Sequence, residues 1–323
     1  MVELTELSLN QMCSRLPHIE GLRPLTGGAS SLTYAGQLAG ARVVVKVAPP
    51  GLAPTRHRDV LRQCRIIKAL GPTPVPVPAV LWEDAGNPPE EPPLFVMSWV
   101  DGSSLEPLFD LDYAGDKKPI VAERFRRAAA IMAQLHRIPP AAIGLETEPV
   151  TTAEAEIDRW CQALETVDQA LTPGWSDVGI ALRASVPSPL SPAVVHGDFR
   201  LGNLLAVDDS ITGVIDWEIW SVGDPRIDAG WFLINSDPQT YRRVTPYVGA
   251  TPSPAELASI YRDSVGHAMP YLDWFQALAC FKSVATWSLI VKHNRRRARP
   301  DAGVEAMSKV LPHLLSRATA LLG

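Results

Sequence analysis

One stretch, Val194–Trp231, constrains the fold of this 323-residue chain more than any other. It reads VVHGDFRLGNLLAVDDSITGVIDWEIWSVGDPRIDAGW. A short apolar strand, Ala193–Val195, ends in a loop at His196-Gly197-Asp198. Two further apolar runs, Leu204–Val207 and Gly213–Ile215, flank Asp208-Asp209-Ser210, a set of turn-forming residues. That pattern predicts a β-hairpin whose far end carries Asp216 back beside Asn203.

The residue types at that spacing suit one kind of chemistry. A carboxylate at Asp198 can orient a hydroxyl nucleophile and accept its proton. The side-chain carbonyl of Asn203 and the carboxylate of Asp216 are hard oxygen donors suited to magnesium. Together they form a base beside a two-ligand metal site, which is what phosphoryl transfer requires. Asp and Asn are also ordinary turn residues, and His-Gly-Asp alone says little. The joint spacing carries the reading.

Around this stretch the period of the apolar residues changes along the chain. Residues 1–20 place Leu4, Leu7, Leu9, Met12 and Leu16 at helical spacing. Leu25–Tyr34 reads as strand, tight glycine loop and strand, and Arg42–Val47 as a further strand. Residues 57–70 are helical in pattern, with Val60, Leu61, Cys64, Ile67 and Leu70 on one face, and Gly71-Pro72 stops them. Ala79–Glu83 and Leu94–Trp99 are strand candidates. Beyond Asp101-Gly102 the chain becomes mostly helical, notably at Ala122–Arg137, Ala153–Leu171 and from Ser253 to Leu322. The expectation is an α+β fold of two lobes, a small β-rich one over residues 1–100 and a larger, mainly helical one over 101–323.

Composition excludes several classes. The chain is 46% hydrophobic and 20% charged, as globular proteins are. Its net charge of -5 gives no footprint for nucleic acid. The acidic, interrupted N-terminus does not read as a signal peptide, and no uninterrupted apolar run is long enough to span a bilayer. The four cysteines, Cys13, Cys64, Cys161 and Cys280, are isolated and read as reduced thiols. These features point to a cytoplasmic protein without a nucleic-acid or membrane partner.

HGDFRLGNLL followed by VIDWE resembles the aminoglycoside phosphotransferase and choline kinase group, which has the protein-kinase-like fold. The resemblance covers nearly the whole chain. It implies an ATP- and magnesium-dependent kinase with Asp198 as catalytic base and Asn203 and Asp216 as magnesium ligands. His196 would support the loop. Arg200 would neutralise charge on the transferred phosphoryl group, or be a solvated loop residue. Asp224 and Asp228 read as structural braces, and Glu218 as either a supporting or a substrate-facing group.

The nucleotide elements lie in the first lobe. Gly27, Gly28, Ala29, Ser30 and Ser31, between two strands, would lay backbone amides over phosphates. Lys46 sits among Val43, Val44, Val45 and Val47, where a charge needs a partner. The resemblance makes its partners the ATP phosphates and a helix carboxylate. At the position of that carboxylate stands Gln63, with Asp59 one turn earlier as a shorter substitute. Leu94–Val100 would bind adenine, with Met97 lining the pocket.

The expected acceptor is a hydroxylated small molecule. Residues 251–323 hold five acids and nine bases, the wrong sign for a polycationic aminoglycoside. The run Lys292-His293-Asn294-Arg295-Arg296-Arg297 reads as a solvated helix end, or as a feature suited to an anionic substrate. GDPRIDAGW, with the two motifs above, is more similar to kinase domains associated with acyl-CoA dehydrogenases, which implies a hydroxyacyl-CoA-type acceptor. The alternatives are an antibiotic kinase, for an aminoglycoside or for a macrolide held by Trp274 and Trp287, and a weakly active nucleotide-binding interaction module.

Overall fold

The protein is described from a computed structural model over residues 12–25, 31–110 and 118–323. It divides into two compact units: residues 1–104 with 203–220, and residues 105–202 with 221–323. A single cut after residue 100 does not describe this division. The hairpin segment 203–220 goes with the first unit although it follows the His-Gly-Asp loop in sequence.

The first unit holds a five-stranded antiparallel sheet in the order β1-β2-β3-β5-β4. Its strands are β1 (Ile19–Pro24), β2 (Leu32–Leu38), β3 (Ala41–Val47), β4 (Val80–Asp84) and β5 (Leu94–Ser98). Period-two alternation sends Val43, Val45 and Val47 into a cluster with Met12, Tyr34, Leu94 and Val96. The opposite face of β3 carries Lys46. Helix α1 (Val60–Leu70) begins at an Asp59 cap, whose carboxylate accepts from the Arg62 N–H at 3.0 Å.

The predicted hairpin forms from strands Leu204–Val207 and Ser210–Val214. The second strand starts at Ser210, not Gly213, so the turn is only Asp208-Asp209, with Asp208 at a φ of 52°. The hairpin is tied in by Val214 N–H donating to Pro76 O at 2.7 Å and by a bridge between Ser103 and Ala206. Gly102 makes that bridge possible. Its φ is +134°, and a Cβ there would lie 2.8 Å from Ala206 N.

In the second unit the labelled helices are α2 (Lys118–His136), α3 (Ala153–Glu165), α4 (Trp175–Ala184), α5 (Arg226–Ser236), α6 (Pro254–Val265), α7 (Leu272–Asn294) and α8 (Leu311–Leu322). Helix α7 is the centre of the core, packed by α3, α5 and α8. By length and mean hydropathy (1.2) it could cross a bilayer, although Lys282 interrupts its apolar run, and 78% of its most apolar window is buried inside the protein. It is a core helix. Gly230 lets α5 approach it closely, since a Cβ there would sit 2.3 Å from Phe275 O. A three-stranded sheet joins Val150–Thr151, Ser221–Gly223 and Ala193–Val195; the first two strands lack any apolar run long enough to predict them.

Other sequence expectations shift at their edges. Of the N-terminal helix, residues 1–11 lie outside the described residues, 12–15 are helical, and Ile19–Glu20 belong to β1. The helix expected over Ala153–Leu171 stops at Glu165 and is followed by a separate turn of helix at Gln169–Leu171. Cys64, Cys161 and Cys280 are buried free thiols, and Cys13 is an exposed one.

Candidate active site

In the second unit the strand Ala193–Val195 delivers the chain into His196-Gly197-Asp198. The turn requires Gly197, whose φ is +84°. Asp228, in the first turn of α5, accepts from His196 N at 2.6 Å and from Gly197 N at 2.8 Å. His136 Nε2 lies 3.3 Å from the same carboxylate, and its Nδ1 lies 2.6 Å from the Tyr261 hydroxyl. Burial opposes the charge on Asp228. The His136 hydrogen bond and charge outweigh it, and the carboxyl sits below its usual range. Asp228 therefore braces the loop from inside the helical unit, as a buried charge can only when it is paired.

His196 is fully buried, accepts from Asp198 N at 3.2 Å through Nδ1, and packs edge-on against Phe199. It is part of the loop's support. Asp224 pairs with Arg226 through two contacts of 2.9 and 2.6 Å and accepts from Leu190 N. Both acids of GDPRIDAGW are structural, as expected.

Trp231 and Arg200 both donate to the Asp198 carboxylate. Trp231 Nε1 donates to Oδ1 at 2.8 Å, and Arg200 Nε lies 3.1 and 3.2 Å from the two oxygens. Arg200 also donates from Nη1 to Glu106. Gly202 leaves the space this needs: a Cβ there would fall 2.2 Å from Arg200 Nη1 and 2.3 Å from Glu106 Oε2. Burial pushes the Glu106 carboxyl up to about 7, against the pull of Arg200. Burial works to lower the Arg200 pKa, but the carboxylates of Asp198 and Glu106 prevail and raise it. Arg200 is thus an anchored cation beside Asp198, not a solvated loop residue.

Glu106 and Trp231 escaped the sequence reading because their partners are 94 and 33 residues away. Lys282 escaped it too. Its ammonium donates to Gly197 O on the same loop, from inside α7. The signal was available, since a lone lysine in LACFKSVATW breaks an apolar helix just as Lys46 breaks an apolar strand.

In the first unit Lys46 Nζ lies 2.8 Å from Gln63 Oε1 and 3.3 Å from Asp216 Oδ1. Asp59 is occupied as the helix cap, so Gln63 alone of the two reaches the lysine. Asp216 has a φ of 66°, a left-handed conformation rare for a side-chain-bearing residue and frequent at functional positions. Ile215 N–H donates to Asn203 O at 3.0 Å, which sets Asn203 and Asp216 at the same end of the hairpin. Met97 is buried on β5, paired in register with Val44. Ser31 is buried just ahead of β2, while Gly27, Gly28, Ala29 and Ser30 lie outside the described residues.

Among the described residues no cluster of three or more His, Cys, Asp or Glu forms a metal cage. Asn203 and Asp216 offer two oxygen-bearing side chains. That donor set fits magnesium, which is held by one or two protein ligands and completes its shell with water and phosphate oxygens. Of the tryptophans expected to receive a large apolar substrate, Trp274 is core, packed on Phe275 and bonded to Ser185 Oγ. Trp287 is half-buried and stacks on Phe109.

Comparison with known proteins places this geometry. The chain is 26% identical over 214 residues to acyl-CoA dehydrogenase family member 10 of Mus musculus, a match covering 63% of this chain and 19% of that protein. The chain thus spans about a fifth of that relative's length. It is 33% identical over 183 residues to viomycin phosphotransferase of Streptomyces vinaceus, covering 53% and 58% of the two chains. Its fold matches the crystal structure of a thermostable mutant aminoglycoside phosphotransferase in ternary complex with ADP and hygromycin B. That match has a TM-score of 0.62, an identity of 15% and a coverage of 97% of each chain. The fold is protein-kinase-like, with the five-stranded sheet in one unit and most of the helices in the other. A sequence model of the phosphotransferase enzyme family matches residues 21–260. Because that match takes in the His-Gly-Asp loop, the hairpin and Lys46 together, the chain belongs to the phosphotransferase enzyme family.

Proposed function

We propose that the protein is an ATP- and magnesium-dependent kinase that moves the γ-phosphate to a hydroxyl of a small anionic molecule of the hydroxyacyl-CoA type. The observation that carries the kinase reading is the 3.3 Å contact between Lys46 and Asp216. It brings a cation suited to phosphate beside an acid suited to magnesium across 170 residues of sequence.

In this reading Lys46 binds the α- and β-phosphates, with Gln63 fixing its direction. Asn203 and Asp216 hold magnesium, which neutralises phosphate charge when bound. Gly27–Ser31 cover the phosphates and Met97 lines the adenine site. Asp198 orients the acceptor hydroxyl and takes its proton. Arg200 presents its positive charge to the transferred group. The complex of the aminoglycoside phosphotransferase with ADP supports an adenine nucleotide as donor.

The acceptor class rests on two observations. The match to an acyl-CoA dehydrogenase family member favours an acyl-CoA-type molecule. The five-to-nine balance of acids and bases in 251–323 favours an anion, although Lys282 is internal and adds nothing to the surface. A second reading, an antibiotic kinase, is favoured by the viomycin phosphotransferase match. The interaction-module reading draws less support, since Gln63, the feature that favoured it, still meets Lys46 at 2.8 Å.

Thermal stabilisation tests this directly, since a ligand of the folded state stabilises by RT ln(1 + [L]/Kd). Mg-ATP should raise the Tm, and hydroxyacyl-CoAs should raise it further. No shift with Mg-ATP would contradict the kinase reading. An added shift with viomycin or hygromycin B and none with any hydroxyacyl-CoA would move the acceptor to the antibiotic class.

A further inference from the structure

Lys282 occupies a place where a lysine is expensive. It lies in the core helix α7 and is only 5% exposed. An ammonium taken out of water costs several kcal/mol unless it is paired, and an apolar residue of similar volume often serves a core better. Here the ammonium donates to Gly197 O of the His-Gly-Asp loop. It also lies 4.1 Å from the centre of the Trp231 ring and 5.7 Å from that of Trp160. The charged groups acting on it are Asp198, Glu156 and Asp228, with Arg159 opposing them.

Trp231 faces both ways. Its ring receives the Lys282 cation, and its indole N–H donates to Asp198 Oδ1 at 2.8 Å. A cation over an aromatic face is attracted to the ring's electrons. The same field draws density from the indole nitrogen and makes its N–H a stronger donor, as linked polar groups polarise one another. Cation, ring and carboxylate therefore form one line ending on the candidate base.

We infer that Trp231 and Lys282 are positioning residues for phosphoryl transfer: Lys282 fixes the loop carbonyl and the indole, and the indole N–H fixes the Asp198 carboxylate toward the acceptor hydroxyl. This rests on the assignment of Asp198 as base. Arg200 holds the same carboxylate from another direction, so the pair sets its orientation and does not hold the loop alone. Asp228 already carries the loop's N–H groups.

The test uses Trp231→Phe, which keeps a ring and loses the N–H, and Lys282→Met, which keeps the stem and loses the charge. Mg-ATP hydrolysis, with water as acceptor, gives kcat and KM without a known substrate. Both variants should lose about 10- to 100-fold in kcat, the size of one hydrogen bond to a charged group, with KM for ATP unchanged within about twofold. Lys282→Met removes a buried charge but also leaves the Gly197 carbonyl without that donor, so its Tm is read beside kcat to separate lost stability from lost positioning. A second measurement follows the Trp231 indole N–H signal by nitrogen-15 NMR, assigned by its disappearance in Trp231→Phe. It should move in both Asp198→Asn and Lys282→Met.

Wild-type turnover with either variant at the wild-type kcat would overturn the inference and leave the kinase reading intact, as would loss expressed only in KM. An indole signal unmoved in both variants would overturn it whatever the turnover. A wild-type protein that neither binds nor hydrolyses Mg-ATP would sink the kinase reading, and the positioning role with it.

Discussion

Gln63 shows how much a single side chain decides. An uncharged amide holds Lys46 where the family resemblance leads one to expect a carboxylate, and its buried Nε2 has no hydrogen-bond partner among the described residues. Gln63→Glu replaces that orphaned donor with an acceptor and turns a neutral hydrogen bond into a charged one. The expected gain is roughly 1 kcal/mol in stability, with a lower KM for ATP. Denaturant midpoints and ATP kinetics check both, and a lower midpoint would mean that Asp216 already satisfies the lysine. At Asp198 the expected effect is larger. Asp198→Ala should reduce transfer by about 10²- to 10⁴-fold while Mg-ATP still raises the Tm, and loss of that nucleotide shift would remove Asp198 from the role of base. Glu106 gives a pH signature. Its carboxyl binds its proton more tightly folded than unfolded, because burial raises it from 4.5 to about 7. The stability it contributes is fully present below 4.5 and is lost as the pH climbs through 7. Urea midpoints should fall from pH 5 to pH 8, and Glu106→Gln should flatten that slope. Equal slopes in the two proteins would count against the raised carboxyl.

At the scale of elements, the local ones were legible and the long-range contacts were not. β3, β5, α1 and the hairpin announce themselves by period and by turn residues. The hairpin could be foreseen because its pairing spans only a few residues. The site's supports could not, since Trp231, Glu106 and Lys282 each meet the His-Gly-Asp-Phe-Arg segment across 33, 94 and 85 residues. The strand Ser221–Gly223 was missed for the same reason, being defined by its partners Ala193–Val195 and Val150–Thr151. Two glycines test the packing between elements. Gly230→Ala would push a methyl against the Phe275 carbonyl, backbone that cannot swing aside, and should cost about 1–3 kcal/mol. A calorimetric Tm equal to the wild type's would show that α5 and α7 can part without cost. Gly202→Ala differs, since its methyl meets only the ends of Arg200 and Glu106. The fold should survive with nearly the wild-type Tm while kcat falls, because Arg200 must leave its place.

At the scale of the molecule, the sequence marked the change from β-rich to helical near residue 100 but could not show that 203–220 belongs with the first unit. That assignment depends on Val214 reaching Pro76 and Ala206 reaching Ser103. The consequence is chemical: Asn203 and Asp216 stand with Lys46 in one unit, and Asp198, Arg200 and Glu106 stand in the other. The most direct test of the kinase reading is transfer of γ-phosphate from ATP, followed by phosphorus-31 NMR. Hydroxyacyl-CoAs would be offered beside viomycin and hygromycin B, with wild type and Asp198→Ala run in parallel. The expected result is a new phosphate ester on a hydroxyacyl-CoA, made by the wild type and absent with Asp198→Ala. Esters on the antibiotics alone would contradict the acceptor, and no ester on any compound, with ATP left intact, would contradict the kinase itself.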